Sequence, residues 1–530
     1  MSVDYAQPYG SARSPVLGQN MVVTSQPLAA QAGLAMLARG GNAIDAAIAA
    51  AMTLTVVEPT GCGIGSDGFA IVWDGQDLHG LNASGRSPAA WSPDYFEAFD
   101  QVPQTGWNSV TVPGAVSGWI ALWEKFGSVP LETIAEPAIR YARDGFSLSP
   151  IIARLWAMGG RKLGNEPGFG QAFLPDGYAP KAGEIVRLPH HAATLETIAS
   201  TRGEAFYRGA LAERIIAHGK AHGGAMTLDD LASHQPDWIG TISQRFGDAY
   251  VHELPPNGQG IAALIALGIL EHLGIGDKPV DHIDTIHLII EATKLALVDI
   301  DEHVAEENAM QFPAQALLDP AYLAERAALV DRQRAGDPGH GTPRKAGTVY
   351  LATADAQGRM VSFIQSNYMG FGSGLVVPQT GISLQNRGHG FSLKPGHPNR
   401  VAPRKRPFHT IIPAFATNLS GKPLMAFGVM GGPMQAQGHV QLVVRVLHYS
   451  QNPQAAADAP RWRIAAGRKV AVESGFPANL VDGLRARGHD VVVETPDAVF
   501  GFGGAQAILR EAGAYVGGSD PRKDGQAVAF

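Results

Sequence analysis

The chain has a single cysteine, Cys62, among 530 residues. That excludes an intrachain disulfide and any multi-cysteine zinc or iron–sulfur site, so the fold must rest on packing. Charge is sparse as well. Only 17% of residues are Asp, Glu, Lys or Arg, and 41 basic against 48 acidic side chains leave a net charge of −7. No global positive field is available for nucleic acid or an anionic membrane surface, and neither is expected as a partner. Long apolar runs are missing too: the stretch 43–57 contains Asp45 and falls short of a membrane span. The opening MSVDYAQPYGSARSP lacks a basic segment followed by an apolar one, which points to a cytoplasmic protein. There is no fixed-period repeat or low-complexity tract, so a solenoid or propeller is not expected. What the chain has in quantity is apolar residues at 45%, with 64 glycines and 36 prolines spread along it. This is a globular composition with many tight turns and close backbone contacts, long enough for two large units or several ordinary ones.

Periodicity predicts helices over 28–39 and 43–55, with Asn42 as N-cap of the second, then strands at 68–73 and 79–84. Further helices are expected over 113–127, 131–145, 210–223, 260–274 and 284–304, which makes the first 330 residues helix-rich. At 331–347 the character changes to DRQRAGDPGHGTPRKAG, polar and broken by Gly and Pro, an exposed and flexible connection. Beyond it, TVYLATAD, MVSFIQS, SGLVVP, GISLQN, LMAFGVM, DVVVET and AQAILRE read as strands around a helix at VQLVVRVLHYS.

Several candidate sites are weak. GIGSDG at 63–68 fits G-x-G-x-x-G, but a dinucleotide site needs a strand before that motif and a helix after it, and here the order is reversed. His287 and Glu291 lie four apart on one helix without the H-E-x-x-H pattern, so no metal is expected. His190-His191 reads as a loop pair beside Pro189, and Cys62 as a small buried hydrophobe.

The informative stretch is GTVYLATADAQGRMVSFIQSNYMGFGSGLVVPQTGISLQNRGHGFS at 347–392. Gly-Thr pairs also occur at 240–241 and 341–342, but only Thr348 stands where the flexible connection meets an alternating strand. A threonine that becomes a chain N-terminus carries its own base, because an α-amine with a pKa near about 7.7–8.0 is partly neutral at pH 7. That amine can take the hydroxyl proton, directly or through water, with no His or Asp. Exposing it requires self-cleavage: Thr348 Oγ attacks the Gly347 carbonyl, an ester forms, and water releases the amine. Gly347, without a side chain, tolerates the strained peptide.

With these residues the sequence resembles the γ-glutamyltranspeptidase family of N-terminal-nucleophile hydrolases over nearly its whole length. The resemblance is carried by GGNAIDAAIA at 40–49, VEPTGCGIGSDGF at 57–69, VPGAVSGW at 112–119, LPPNGQG at 254–260, the Thr348 segment, GVMGGPMQ at 428–435 and GGSDPRKDG at 517–525. It implies an α/β (α+β) fold, a four-layer αββα sandwich. It also implies a large subunit 1–347, the helix-rich half, and a small subunit 348–530 that stays with it. Carried over by position, Thr348 is the nucleophile, Ser366 a second hydroxyl that steadies it, and Gly431 and Gly432 the oxyanion hole. Backbone N–H groups aimed at a developing alkoxide are worth several kcal/mol in acyl transfer, as is known for such sites.

The substrate pocket departs from the family pattern. Where classical members carry an arginine for the γ-glutamyl α-carboxylate, Ser84 stands, and Arg86 two positions on is expected to face the same way and replace it. The acidic pair before Phe-Ser becomes His389 and Gly390, the paired serines become His409 and Thr410, and an asparagine position holds Tyr368. Negative charge is lost, while Arg387, His389 and His409 enter pocket-forming segments. This suits an anionic substrate without an α-amino group, because an unpaired substrate ammonium would be costly to bury. The strings VSFIQSNYMGFGSG and QNRGHGFSL look most like the branch that includes oxamate amidohydrolase, with glutaryl-type acylases also compatible. The expectation is a self-processing amidohydrolase acting on a small carboxylate amide, without cofactor or metal, with a homo-oligomer open. Its rivals are a true γ-glutamyltransferase acting on glutathione, a non-catalytic protein with a degenerate site, and a nucleotide-binding protein.

Overall fold

Val349 and Leu351 leave one side of their strand, and Tyr350, Ala352 and Ala354 the other; the two sets enter different hydrophobic cores. That alternation fixes the layering of the whole molecule. The computed structural model describes residues 13–338, 347–495 and 501–530. Residues 339–346 of the expected flexible connection, and residues 1–12, lie outside the described residues.

Two seven-stranded sheets are stacked. One runs, in spatial order, Gln526–Ala529, Met21–Thr24, Gly347–Ala354, Met360–Tyr368, Asp67–Trp73, Leu78–Asn82 and Asp237–Trp238. The other runs Val16–Gly18, Ala514–Ser519, Gly504–Glu511, Pro423–Met430, Ala414–Asn418, Ala249–Glu253 and Ile242–Phe246. Met21, Val23, Phe69, Ile71, Tyr350 and Ile364 from the first sheet meet Phe415, Ala426, Met430, Ile508 and Tyr515 from the second, which makes the inner core. Helices cover each outer face. Val22, Ala70, Val72, Val349 and Leu351 pack under helices that include Pro27–Ala38 and Ala43–Val57. Phe427, Val429, Ala414 and Ala505 pack under Ile261–Leu273, Ile283–His303 and Met434–Val443. The result is the αββα sandwich expected from the sequence.

Residues 1–347 hold thirteen of the sixteen α-helices among the described residues, but they do not form one half of the sandwich on their own. Both sheets interleave strands from before and after the 347/348 peptide bond, because the strand pairing is non-local and periodicity carries no information about partners.

The helix Ala43–Val57 is buried on every side, as an Ala-rich helix wedged between a sheet and other helices must be. Asn42 caps it as expected: its side chain accepts from the N–H of Ile44 and Asp45, and Asp45 accepts from Asn42 N in return. The same end is pinned to the strand Gly347–Ala354 and the turn after it, with Ala43 O accepting from Thr353 Oγ1 at 2.6 Å and Asp355 Oδ2 accepting from Ala43 N at 2.9 Å.

Three expectations shift locally. The helix read at 440–450 begins at Met434, directly after the Gly-Gly-Pro turn, and ends in a π-helical turn at Val444–His448. SGLVVP and GISLQN give only a two-residue hairpin ladder, Val376–Val377 with Ile382–Ser383. His190 and His191 are not in a loop but in the first turn of the helix Pro189–Thr201, with Pro189 in the initial position that favours proline.

Candidate active site

Thr348 lies near the start of its strand at a register shift against Met360–Tyr368: Gly347 pairs with Tyr368, but Val349 pairs with Gln365. The shift bends the strand end as a bulge does. Thr348 is fully buried, and its Oγ1 is 3.3 Å from Ser366 Oγ and 3.3 Å from Gln435 Nε2. Ser366 Oγ also accepts from the N–H of Tyr368 at 2.8 Å. The expected second hydroxyl is therefore beside Thr348. Gln435, on the first turn of the helix after Pro433, was quoted in a motif but given no role by sequence reasoning.

Gly431 and Gly432 form the turn between the strand Pro423–Met430 and that helix, both at positive φ, 126° and 62°. Only glycine adopts the first of these without strain. Among the described residues, neither glycine N–H makes a hydrogen bond. The buried Gln259 amide donates to Gly432 O at 2.8 Å and to Thr410 O at 2.6 Å, tying the glycine turn to the pocket wall. Sequence reasoning missed it too; the only signal was a glutamine between glycines in NGQG.

Arg387 is completely buried in a short 3-10 turn, Arg387–Gly390. Its Nη1 donates to Thr410 Oγ1 at 2.8 Å, and its guanidinium carbon stands 4.2 Å over the Tyr368 ring. Among the described residues Nε and Nη2 have no partner. Burial pulls its pKa down to about 10, against the pull of the Tyr368 hydroxyl and the Asp67 carboxylate. Tyr368 itself has φ 76°, unusual for a bulky residue and a source of local strain. Tyr368, Thr410, Gly390, Gln259 and Pro433 line a cavity of about 330 Å³. Its far wall is largely apolar, with Leu297, Val298, Ile300 and Val304 from the long helix Ile283–His303.

The remaining pocket candidates are placed differently. His389 is buried, with Nδ1 at 2.5 Å from Val102 O and Nε2 at 3.5 Å from Gln104 Nε2. His409 is turned to Asp67: its Nε2 lies 3.1 Å from Asp67 Oδ2, and its Nδ1 accepts from Ile411 N at 3.4 Å. Burial drives its pKa well below the ordinary value, and burial lifts Asp67 to about 7 against Arg387 and the N–H groups of Gly85 and Gly114. Arg86 is the clear correction. The strand stops at Asn82, Ser84 turns back onto Asn82, and the Arg86 side chain, 40% exposed, pairs with Glu306 and lies 3.9 Å from Asp237. Those carboxylates already engage its guanidinium, and the alternation argument fails because the strand has ended before it.

The weak motifs stay weak. A methyl on Gly63 would come within 2.0 Å of Ser383 Oγ, and one on Gly65 within 2.4 Å of Ser383 O. These glycines let the loop lie against its neighbour. Cys62 is buried, and burial raises its pKa well above the ordinary thiol value. His287, Glu291 and His489 have ligand atoms within 4.8 Å of one another. Yet His287 Nδ1 and His489 Nε2 bond each other at 2.9 Å, and Lys294 donates to Glu291 Oε1 at 2.8 Å, so the cluster already carries its own cation. Among the described residues no helix is long and apolar enough to cross a membrane.

The Gamma-glutamyltranspeptidase family profile matches residues 29–530. The chain belongs to this family. It is 36% identical over 529 residues to the glutathione hydrolase-like YwrD proenzyme of Bacillus subtilis, covering 98% of this chain and 100% of that one. It is 35% identical over 530 residues to the oxamate amidohydrolase proenzyme of Klebsiella pneumoniae, covering 98% and 99%. Among solved structures, the cephalosporin acylase from Bacillus halodurans superposes with a TM-score of 0.96 at 47% identity, covering 100% of this chain and 99% of that one. A γ-glutamyltranspeptidase-family chain with this fold is an enzyme of the amidohydrolase and acyltransferase kind. The relatives differ in the acid and the amine that their names imply, so the choice of substrate turns on the pocket.

Proposed function

We propose that the chain cleaves itself between Gly347 and Thr348 and then hydrolyses the amide of a small carboxylate, whose carboxylate is bound by Arg387. The observation that carries this reading is the pair of unpartnered guanidinium N–H sites on a fully buried arginine beside the cavity. A buried cation with idle donors is costly, and a carboxylate ligand satisfies both at once through bidentate bonds. Thr410 and Tyr368 fix the guanidinium plane, so the anion is met by a rigid fork.

In the reaction, Thr348 Oγ attacks the amide carbon and its proton passes to the Thr348 α-amine. The oxyanion is met by the Gly431 and Gly432 N–H groups, with Gln259 holding their turn. The C–N bond breaks as the ammonium returns the proton to the leaving amine. Water then adds to the acyl ester, giving acid and free Thr348. Ser366 and Gln435 steady Oγ1 in both halves. Residues 1–347 and 348–530 remain together as two subunits, because separating them would tear strands out of both sheets. Gly347 serves only the maturation step, and His389 shapes the pocket floor beneath Tyr368.

The test is an intact-mass spectrum followed by an amide panel: oxamate, succinamate, glutaramate, the anilides of succinate and glutarate, and γ-glutamyl-anilide. A terminus at Thr348 and faster turnover of the amides lacking an α-amino group are expected. Faster turnover of γ-glutamyl-anilide would favour a glutathione hydrolase instead. A chain that stays whole and turns over nothing would sink the reading.

A further inference from the structure

Asp67 and His409 take no part in the reaction above, yet both are fully buried and bonded to each other. Asp67 opens a strand of the first sheet, where it is the ladder partner of Ser366. His409 lies just before the strand Ala414–Asn418 of the second sheet. Asp67 Oδ1 accepts from the N–H groups of Gly85 and Gly114, each at 3.1 Å, which leaves Oδ2 for the ring. Because His409 Nδ1 accepts from Ile411 N, Nε2 carries the proton and donates it to Asp67. The backbone of His409 is fixed as well: its N–H donates to Asn257 O at 2.8 Å and its carbonyl accepts from Gln259 N at 2.9 Å.

The pair closes a ring of contacts that passes through Arg387. Thr410, the residue after His409, accepts from Arg387 Nη1 at 2.8 Å. The Arg387 guanidinium stands 4.2 Å over the Tyr368 ring, Tyr368 N donates to Ser366 Oγ at 2.8 Å, and Ser366 pairs with Asp67. Ser366 Oγ is in turn 3.3 Å from Thr348 Oγ1. Tyr368 belongs to the first sheet and Thr410 to the segment that enters the second, so the guanidinium is held between one wall from each. The Asp67–His409 bond ties those walls together at the level of Ser366. Gln259 refers the glycine turn to the same frame, because its side chain reaches both Thr410 O and Gly432 O.

We propose that Asp67 and His409 are positioning residues whose bond fixes where the Arg387 fork stands relative to Thr348, and so sets the length of carboxylate amide that the enzyme prefers. The inference rests on Arg387 binding the substrate carboxylate, as read above. A substrate anchored at one end by a rigid fork presents its carbonyl to a fixed hydroxyl at one chain length. One methylene more or fewer displaces the carbonyl by about 1 Å, a misplacement that can cost about 100-fold in rate. When the brace is loosened the fork follows the substrate, so the preferred length loses rate and its neighbours gain relative to it. The preference in kcat/KM for the best length over the next is expected to fall by roughly fivefold or more.

The experiment measures kcat and KM of the mature enzyme on oxamate, malonamate, succinamate and glutaramate, and on the uncharged amide that matches the best of them. His409→Phe keeps a ring but cannot bond Asp67, and it should flatten the length profile, with a several-fold smaller loss on the uncharged amide. His409→Gln retains an N–H for Asp67 and should keep the parent's profile. A parent-like profile in His409→Phe, equal losses on charged and uncharged amides, or equal flattening in His409→Phe and His409→Gln overturns the proposal. If His409→Phe does not mature, Asp67→Asn decides it: its amide meets the ring only if the ring moves its proton to Nδ1 and gives up Ile411 N, so partial flattening is expected and an unchanged profile overturns the proposal. A parent that turns over charged and uncharged amides alike defeats the carboxylate reading itself, whereas a parent that prefers carboxylate amides, with an unmoved profile in the variants, defeats only the brace.

Discussion

Arg387 was identifiable from sequence as a cation on a pocket-forming segment, but what makes it informative is its two idle N–H sites, and those depend on Thr410 and Tyr368, 23 residues later and 19 earlier. Arg387→Met is therefore expected to raise KM for carboxylate amides by roughly 10- to 100-fold, as losing a charge-assisted contact of about 1.5–3 kcal/mol implies. KM for the matching uncharged amide should hardly move, and Arg387→Lys should recover only part of the loss because an ammonium cannot form the fork. Steady-state kinetics on both substrates checks this; equal losses on both would mean that Arg387 supports the fold and not the anion. The structure brings Thr348, Ser366, Gly431 and Gly432, all singled out in short motifs, into one neighbourhood. Arg86 could not be placed from sequence, because what decides its direction is Glu306, 220 positions away. Gln259 and Gln435 escaped because an amide has no charge or chemistry that marks it before its partners are known.

At the scale of elements, helices and strands were readable wherever apolar residues kept a period: Ala43–Val57, Ile261–Leu273, Ile283–His303, Asp67–Trp73 and Gly347–Ala354 stand within a few residues of expectation. Strand order was not readable, since Met21–Thr24 and Gly347–Ala354 pair across more than three hundred residues and nothing local encodes that. The loop Gly63–Gly68 shows how a motif can mislead: its glycines answer to the hairpin at Val376–Ser383, not to a ligand. Gly63→Ala should lower stability by about 1–3 kcal/mol, the usual cost of overpacking. The clash is with Ser383 Oγ, while Ser383 Cβ would be 3.4 Å from the new methyl, so adding Ser383→Ala should restore most of the loss. Thermal melting of the two single variants and the double variant reads this coupling directly; strictly additive losses would place the strain elsewhere.

For the whole molecule, buried titratable groups pull stability in opposite directions with pH. His191 and His218 are held down to about 4 and His234 and His489 to about 3, each chiefly by burial, and His252 to about 4 by the same cause. Between those values and 6.5, the unfolded chain binds more protons at these rings than the folded one, so each makes stability rise with pH. Asp67 and Glu58 act the other way. Burial raises both to about 7, the folded state holds the proton longer, and their contribution is present at low pH and is lost as pH climbs from the ordinary carboxylate range to about 7. Two more rings, His287 and His409, are also lowered, and four more carboxyls, Glu253, Asp299, Asp458 and Asp524, are also raised, so seven rings oppose six carboxyls and the melting temperature should climb only gently between pH 4.5 and 6.5 and then level off. His234, whose ring nitrogen lies 2.9 Å from Ser117 Oγ, offers the control, since His234→Gln keeps a hydrogen-bonding group while removing the titration. That variant should melt with a visibly shallower pH slope than the parent, by differential scanning fluorimetry in buffers of matched ionic strength. A midpoint that falls between pH 4.5 and 6.5 would mean instead that the buried carboxyls, and not the histidines, govern the acid behaviour of the fold.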